Sequence, residues 1–473
     1  MLDASWCRRA LVVILLCSSA CSDDDPAERT GSNTETDASA QDGSTQDAST
    51  EPTVPPYEEG TDALAALPKD VTLPIVFVHG FAGSAQQFQS QAMRYVMNGF
   101  PADRLFAYEH DGAGTATTDF VTGVDTVVDQ ALAKFSTDKV YLIGHSRGTS
   151  VSTMYLSDPA RAAKVAKYIS LDGAGCGDIS VPCVAPAQTT NMRGTQTDPI
   201  PNQKHVEVAT SKESFAIQFK FLFGSDAKVI DIVPQRDPVV ISGRAVNFPA
   251  NTGREGVTLE FWEVDGATGK RVGEAPKATF TLNANGDWGP ITVDPTKHYE
   301  QVLISKDTPN QHHFYSQPFI RSTQFVRLLS GPPDSDSRVH TNTGADHAAV
   351  VMMRMREWTT EDKVDVSTAS TSGDQAAKNV ITAEITNNPI SLFLQDDAAT
   401  PAESSLALLP WFPMQPFQSG VDIFMPANET PDGTITVTNT PRGATDKPQT
   451  LNVANWASSK HTITVMFSDY PQD

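Results

Sequence analysis

Val140-Tyr141-Leu142-Ile143-Gly144-His145-Ser146-Arg147-Gly148 is the stretch that decides the fold. Four strand-forming apolar residues run directly into a G-x-S-x-G sequence, and a helix-compatible segment follows. That context predicts a buried strand ending in a sharp turn, with Ser146 exposed at the turn and at a helix N-terminus. Flanking glycines are needed because side chains would collide where the backbone folds so tightly. Ser146 is therefore the candidate nucleophile.

A serine hydroxyl is too weakly acidic to attack a carbonyl unaided, so a histidine must take its proton. The chain has ten histidines. His145 lies inside the turn, and His79 belongs to a separate loop motif. His298, His312, His313, His340, His347 and His461 fall in a β-patterned half and read as surface or structural residues. Sites built on such a turn run in the chain order nucleophile, acid, histidine. Of the remaining pair, His110 and His205, only His205 follows Ser146. It also precedes Thr210-Ser211-Lys212-Glu213, which reads as a capping box opening the apolar Phe215-Ala216-Ile217-Phe219 helix. Asp172 ends the strand Tyr168-Ile169-Ser170-Leu171 and is the candidate acid, with Asp178 and Asp198 as alternatives. Acyl transfer also needs fixed donors for a developing oxyanion. His79-Gly80-Phe81-Ala82-Gly83 follows the first core strand, so the backbone N–H groups of Phe81 and Arg147 are named for that role.

Working outward, residues 61–226 alternate strand and helix patterns. Strands are expected at Pro74–Val78, Arg104–Tyr108, Lys139–Ile143 and Lys167–Leu171, with helices at Gln86–Met97 and Val124–Phe135. Such alternation means a mostly parallel sheet with covering helices. Beyond residue 227 the apolar period becomes two, as in Val257-Leu259-Phe261 and Ile463-Val465, and turn pairs such as Asp265-Gly266 punctuate it. This half reads as antiparallel β in two modules, 227–330 and 331–473, joined at the Gly-Pro-Pro-Asp-Ser-Asp-Ser stretch. Leu406–Pro413 is unusually apolar for a proline-rich loop, which suits either contact with lipid or a satellite core cluster.

The net charge of −22 argues against a nucleic-acid partner, which would call for a basic face. About half of it lies between Ser22 and Gly60, which hold eleven Asp/Glu and one Arg. Those residues have almost no large apolar side chain and read as a disordered acidic tether, 22–60. Residues 1–21 resemble an export signal: Arg8 and Arg9, a short apolar run Ala10–Leu16, then small residues before Cys21. The end resembles a lipoprotein signal with Cys21 as the lipidated residue, although Ser18 stands where such signals usually carry Leu. Ordinary cleavage and secretion is the alternative. Either reading places the protein outside the cytoplasm, on the bacterial surface or outer membrane or free. Cys176 and Cys183 remain, and an oxidising compartment predicts a disulfide between them. Two cysteines without clustered histidines give no case for a metal.

With Ser146, Asp172, His205, the Leu171-Asp172 pair, the His205–Ala216 stretch and Asp231-Ile232-Val233-Pro234 in view, the chain resembles the lipases and carboxylesterases of the α/β-hydrolase fold. Within them it is most similar to the Archaeoglobus fulgidus type, over about residues 70–473. Two features depart from that type. Arg147 stands where an apolar residue is common, and the cysteine pair and the lipoprotein-like tether are additions to it. The resemblance implies an α/β hydrolase followed by all-β C-terminal modules. It further implies hydrolysis of fatty-acid esters without a cofactor, with the last module engaging lipid. Short-chain esterase, polyester depolymerase and acyltransferase activities share these residues. A surface-tethered lipid- or glycan-binding protein with an inactive hydrolase domain is the alternative from another class. Residues Gly173–Lys204, between acid and histidine, are a candidate lid.

Overall fold

The computed structural model describes residues 66–188 apart from 70, and residues 198–306, 308–331, 335–385 and 388–472. The export signal, Cys21 and the tether lie outside the described residues, as does the middle of the candidate lid. Strands β1 (Ile75–Val78), β2 (Leu105–Tyr108), β3 (Val140–His145), β4 (Val165–Leu171) and β5 (Cys183–Val184) form one parallel sheet in the order β2-β1-β3-β4-β5. Helices α1 (Gln89–Met97), α2 (Thr118–Phe135), α3 (Arg147–Leu156) and α4 (Lys212–Phe223) cover it. Because successive side chains point to opposite faces, the continuous apolar runs serve two cores at once. Ile75, Phe77, Tyr141 and Ile143 face α1 and α4, while Val76, Val78, Val140 and Leu142 face α2 and α3.

Boundaries differ from the sequence reading: β3 ends two residues later, at His145, β4 starts two residues earlier, at Val165, and α1 opens at Gln89 rather than Gln86 because Ala85–Phe88 forms a 3-10 turn. Helix α2 starts at Thr118 rather than Val124, because Phe120 and Val121 already continue its buried stripe. Helix α4 is capped by Ser211, not Thr210: Ser211 Oγ accepts the Ser214 N–H at 3.2 Å. The Thr210 hydroxyl instead donates to the Met355 carbonyl, a contact with the distant β half.

That half is built on an eight-stranded sheet. Its order is Ala278–Thr281, Thr258–Val264, His298–Ile304, Gln311–Ser316, His461–Met466, Val350–Met353, Ser391–Gln395 and Gln418–Asp422. Four of these strands precede the stretch at 331–337 and four follow it. The junction is a parallel pairing of Gln311–Ser316 with His461–Met466, so one sheet runs through both parts. Most pairings are antiparallel, but Val350–Met353 with His461–Met466 and Ser391–Gln395 with Gln418–Asp422 are parallel too. Two four-stranded sheets complete this half. Leu409 and Phe412 of the proline-rich loop are buried, and Phe412 stacks on Phe393. That loop therefore closes against the protein's own core. Among the described residues no helix is long and apolar enough to cross a membrane.

The halves meet through buried contacts. Phe325, on strand Thr323–Ser330, packs edge-on against Phe77 of β1 with ring centres 6.0 Å apart. Glu109, just beyond β2, accepts hydrogen bonds from Arg244 at 2.7 Å and Arg327 at 2.9 Å. Burial raises the Glu109 pKa, but the two guanidinium groups outweigh it and hold the carboxyl down to about 2. A depressed carboxylate pKa stabilises the fold above the unfolded value, and the contribution is lost as pH falls through the folded one. Glu109→Gln removes the carboxylate that two buried arginines share and should cost about 3–5 kcal/mol. Urea unfolding checks this: the deficit is expected at neutral pH and should shrink as pH falls from about 4.5 toward about 2. A deficit of equal size at every pH would contradict it.

Candidate active site

Strand β3 delivers Ser146 to the carboxyl edge of the sheet. Its φ of +53° and ψ of −123° are strained for a residue with a side chain. The turn survives because its neighbours leave no alternative: the Ser146 N–H donates to the Leu171 carbonyl at 3.0 Å, and helix α3 begins at the next residue. A Cβ on Gly148 would lie 2.1 Å from the Val78 carbonyl oxygen, so only glycine lets the turn pack on β1.

Asp172 directly follows β4, also at positive φ, and is buried. His205 Nδ1 lies 2.5 Å from Asp172 Oδ2, and His205 Nε2 lies 2.8 Å from Ser146 Oγ. The carboxylate fixes the tautomer: with Nδ1 donating to Asp172, Nε2 is left to accept the serine proton. Asp172 is itself held by Gln188, whose backbone N–H donates to Oδ1 at 3.1 Å and whose side-chain amide donates to Oδ2 at 3.0 Å. Asp178 is exposed on the loop, and the backbone of Asp198 joins a short strand, Asp198–Ile200, paired with Pro186–Gln188. Cys176 and Cys183 are joined by a disulfide in the segment between acid and histidine.

The histidine is supported from both halves of the chain. His145, buried within the turn, donates from Nε2 to the His205 carbonyl at 3.0 Å. Phe417, from the β half, stacks on the His205 ring with centres 5.8 Å apart. Glu357, fully buried, accepts the N–H groups of Val206 and Glu207 on its two carboxylate oxygens. Burial pushes the Glu357 pKa up, against the pull of those amides and of His205. Glu207 in turn is bridged to Arg356 at 2.7 Å and Arg442 at 2.6 Å. No local pattern marks Gln188, Glu357 or Phe417, and the sequence reading did not include them. Glu357→Ala leaves two buried N–H groups unpaired, at about 1–3 kcal/mol each, and frees the loop that carries His205. Steady-state kinetics should show kcat falling about tenfold or more, with Glu357→Gln milder because it keeps one acceptor oxygen. An Ala variant that loses stability but keeps its kcat would remove Glu357 from the positioning role.

Neither the Phe81 nor the Arg147 N–H has a backbone acceptor among the described residues outside regular elements. Arg147 opens α3, where the first amides have no acceptor within the helix. The Arg147 side chain turns away to bind the loop after β2. It donates to the Asp111 carbonyl at 2.6 Å and to the Gly114 carbonyl, and its guanidinium lies 5.4 Å from the Phe81 ring centre. Arg147 thus tethers Phe81 and the 110–114 loop. His79 and His110 are buried, stacked on each other and hydrogen-bonded to backbone. Burial lowers both pKa values, that of His110 to about 4, so both rings are neutral and structural. Among the described residues the Ser146 hydroxyl is hydrogen-bonded to His205 and to none of the six histidines of the β half.

A small cavity is lined by Ala82, Phe248, Leu329, Met355 and Phe417, the last of which stacks on His205. A serine on a strand-to-helix turn, a histidine and an acid in that chain order, and a parallel sheet beneath them define the architecture. This is the α/β-hydrolase fold. The alpha/beta hydrolase fold model matches residues 74–200, the Lipase C-terminal domain model matches residues 237–333, and a further C-terminal domain model matches residues 336–471. The chain therefore joins an α/β-hydrolase domain to a β-rich domain similar to the Lipase C-terminal domain and to a further β-rich C-terminal domain. No curated protein matches it. Similar solved structures include a gene product of Listeria innocua, at 12% identity over 33% of this chain and 96% of that one, TM-score 0.25. A CIB-like hydrolase of Thermoplasma acidophilum matches at 13% identity over 34% and 90%, TM-score 0.25. A serine hydrolase without lid from Xanthomonas campestris matches at 14% over 34% and 88%, TM-score 0.23.

Proposed function

We propose that the protein hydrolyses carboxylic esters, long-chain fatty-acid esters foremost, through an acyl-enzyme on Ser146. The observation that carries this reading is the hydrogen-bonded series Ser146–His205–Asp172, with a 2.8 Å contact between Oγ and Nε2. Ser146 Oγ attacks the ester carbonyl while its proton passes to His205 Nε2, and Asp172 supports the imidazolium. The Phe81 and Arg147 N–H groups receive the oxyanion. The C–O bond then breaks, the alcohol leaves with the proton from His205, and water cleaves the acyl-enzyme by the same route. Every step uses groups of this chain and asks for no metal or cofactor.

The lipase preference is supported by the match to the Lipase C-terminal domain model and by the apolar cavity beside Phe417. With 27% of the His205 side chain exposed, the catalytic edge is open to substrate. We place the protein outside the cytoplasm, held at a membrane through Cys21 and the acidic tether. Hydrolysis of p-nitrophenyl esters with two to sixteen carbons by residues 22–473 tests the activity. Rates rising toward the long esters are expected. Activity confined to the shortest would make it a short-chain esterase, and no turnover at any length would sink the ester-hydrolase reading.

A further inference from the structure

A second cavity adjoins the one lined by Phe417, sharing Phe248, Leu329, Met353, Ser391 and Gln418 with it. It lies wholly within the β half. Its wall is apolar near the shared residues and polar at the other end, where Arg254, Arg338, His312 and Ser330 gather. Arg254 donates to Ser330 Oγ at 2.6 Å, and the same oxygen is 3.0 Å from His312 Nδ1. Arg338 donates to Asn310 Oδ1 at 3.2 Å and to the Ser458 carbonyl at 3.3 Å. All these partners are neutral. Among the described residues no carboxylate pairs with either arginine, whereas the buried Arg244, Arg327, Arg354 and Arg442 are each paired with Glu or Asp.

Two half-buried cations with no carboxylate partner among the described residues carry a desolvation cost that an anionic occupant would offset. Both act on His312, whose pKa is held well below its usual value by burial and then by Arg254, with Arg338 adding to it. The histidine is therefore neutral and leaves the cationic charge to the arginines. Two further polar atoms lining the cavity, Ser335 Oγ and Gln418 Oε1, are buried without a protein partner. An occupant that satisfies this wall needs a negatively charged head with several acceptor oxygens and an apolar chain.

We propose that this cavity is a binding site for a single-chain anionic amphiphile. Its carboxylate or phosphate head meets Arg254, Arg338 and Ser330, and its tail lies along Phe248, Leu329 and Met353 toward Phe417. Its assignment to a released fatty acid rests on the ester-hydrolase reading, but binding itself does not. The test is therefore made on the Ser146→Ala variant of residues 22–473, which needs no turnover. Calorimetric titration below the critical micelle concentration compares palmitate, 1-palmitoyl lysophosphatidate and hexadecanol. Charge-assisted hydrogen bonds to the two arginines should make the anionic ligands bind at least about tenfold tighter than the alcohol. The tighter of the two names the head group. Replacing both arginines by Gln should abolish that difference while leaving hexadecanol unchanged, and replacing both by Lys should keep most of it. If palmitate, lysophosphatidate and hexadecanol bind alike to the protein with both arginines intact, the proposal is overturned, whether or not the Gln variant folds.

Discussion

Ser146→Ala should lower kcat on p-nitrophenyl esters by about 10⁴-fold or more while leaving the fold unchanged. The size follows from the chemistry, because the variant has no atom that can carry the acyl group. On the proposed mechanism, what remains is the ability to bind the ester and polarise its carbonyl from Phe81 and Arg147. The substitution is small, and Ser146 Oγ bonds to nothing that holds the turn; the N–H to the Leu171 carbonyl is retained. Circular dichroism and thermal unfolding should therefore match wild type within a few degrees. Alanine keeps the positive φ that serine already tolerates, at φ +53°. A variant retaining a tenth of the activity would place the nucleophile elsewhere.

Asp172→Asn should cost about as much, and for a different reason. The Gln188 N–H points at Oδ1, so an asparagine must set its carbonyl oxygen there. Its amide then faces His205 Nδ1, at the position now held by Oδ2. A donor meeting Nδ1 forces the ring to carry its proton on Nε2, toward Ser146, where it can no longer accept the serine proton. Loss of the correct tautomer in such a triad is worth about 10⁴ in kcat. Rates should recover as pH rises, since hydroxide can then deprotonate the serine in place of the ring. A variant with a wild-type pH profile and a loss under about tenfold would contradict this account.

The nucleophilic turn and its partners were legible because their signals are local or ordered along the chain. The G-x-S-x-G of residues 144–148 needs only its strand before and helix after, and chain order singled out His205 from ten histidines. Both faces of the parallel sheet were visible as unbroken apolar runs. What the sequence hid is long-range. Glu357 reaches Val206 across 151 residues, and nothing around Glu357 distinguishes a buried acceptor of two amides from a surface glutamate. Phe417 stacks on His205 from a loop whose backbone is itself left-handed, φ +60°. The parallel pairing of Gln311–Ser316 with His461–Met466 joins strands far apart in the chain, and alternation cannot name a strand's partner. The start of α2 and the cap of α4 shifted because a few side chains serve tertiary contacts, as Thr210 does with Met355.

The arrangement makes the β half part of the catalytic edge rather than an appendage, since Glu357 and Phe417 both bear on the loop of His205. The central claim remains the acyl-transferring serine. Its most direct test is covalent trapping: residues 22–473 are treated with a p-nitrophenyl alkylphosphonate and the modified peptide is located by mass spectrometry. One adduct, on Ser146, with loss of esterase activity in step and no adduct in Ser146→Ala or His205→Ala, is the predicted result. A stoichiometric adduct on any other residue, or none while the enzyme still turns over esters, would contradict it.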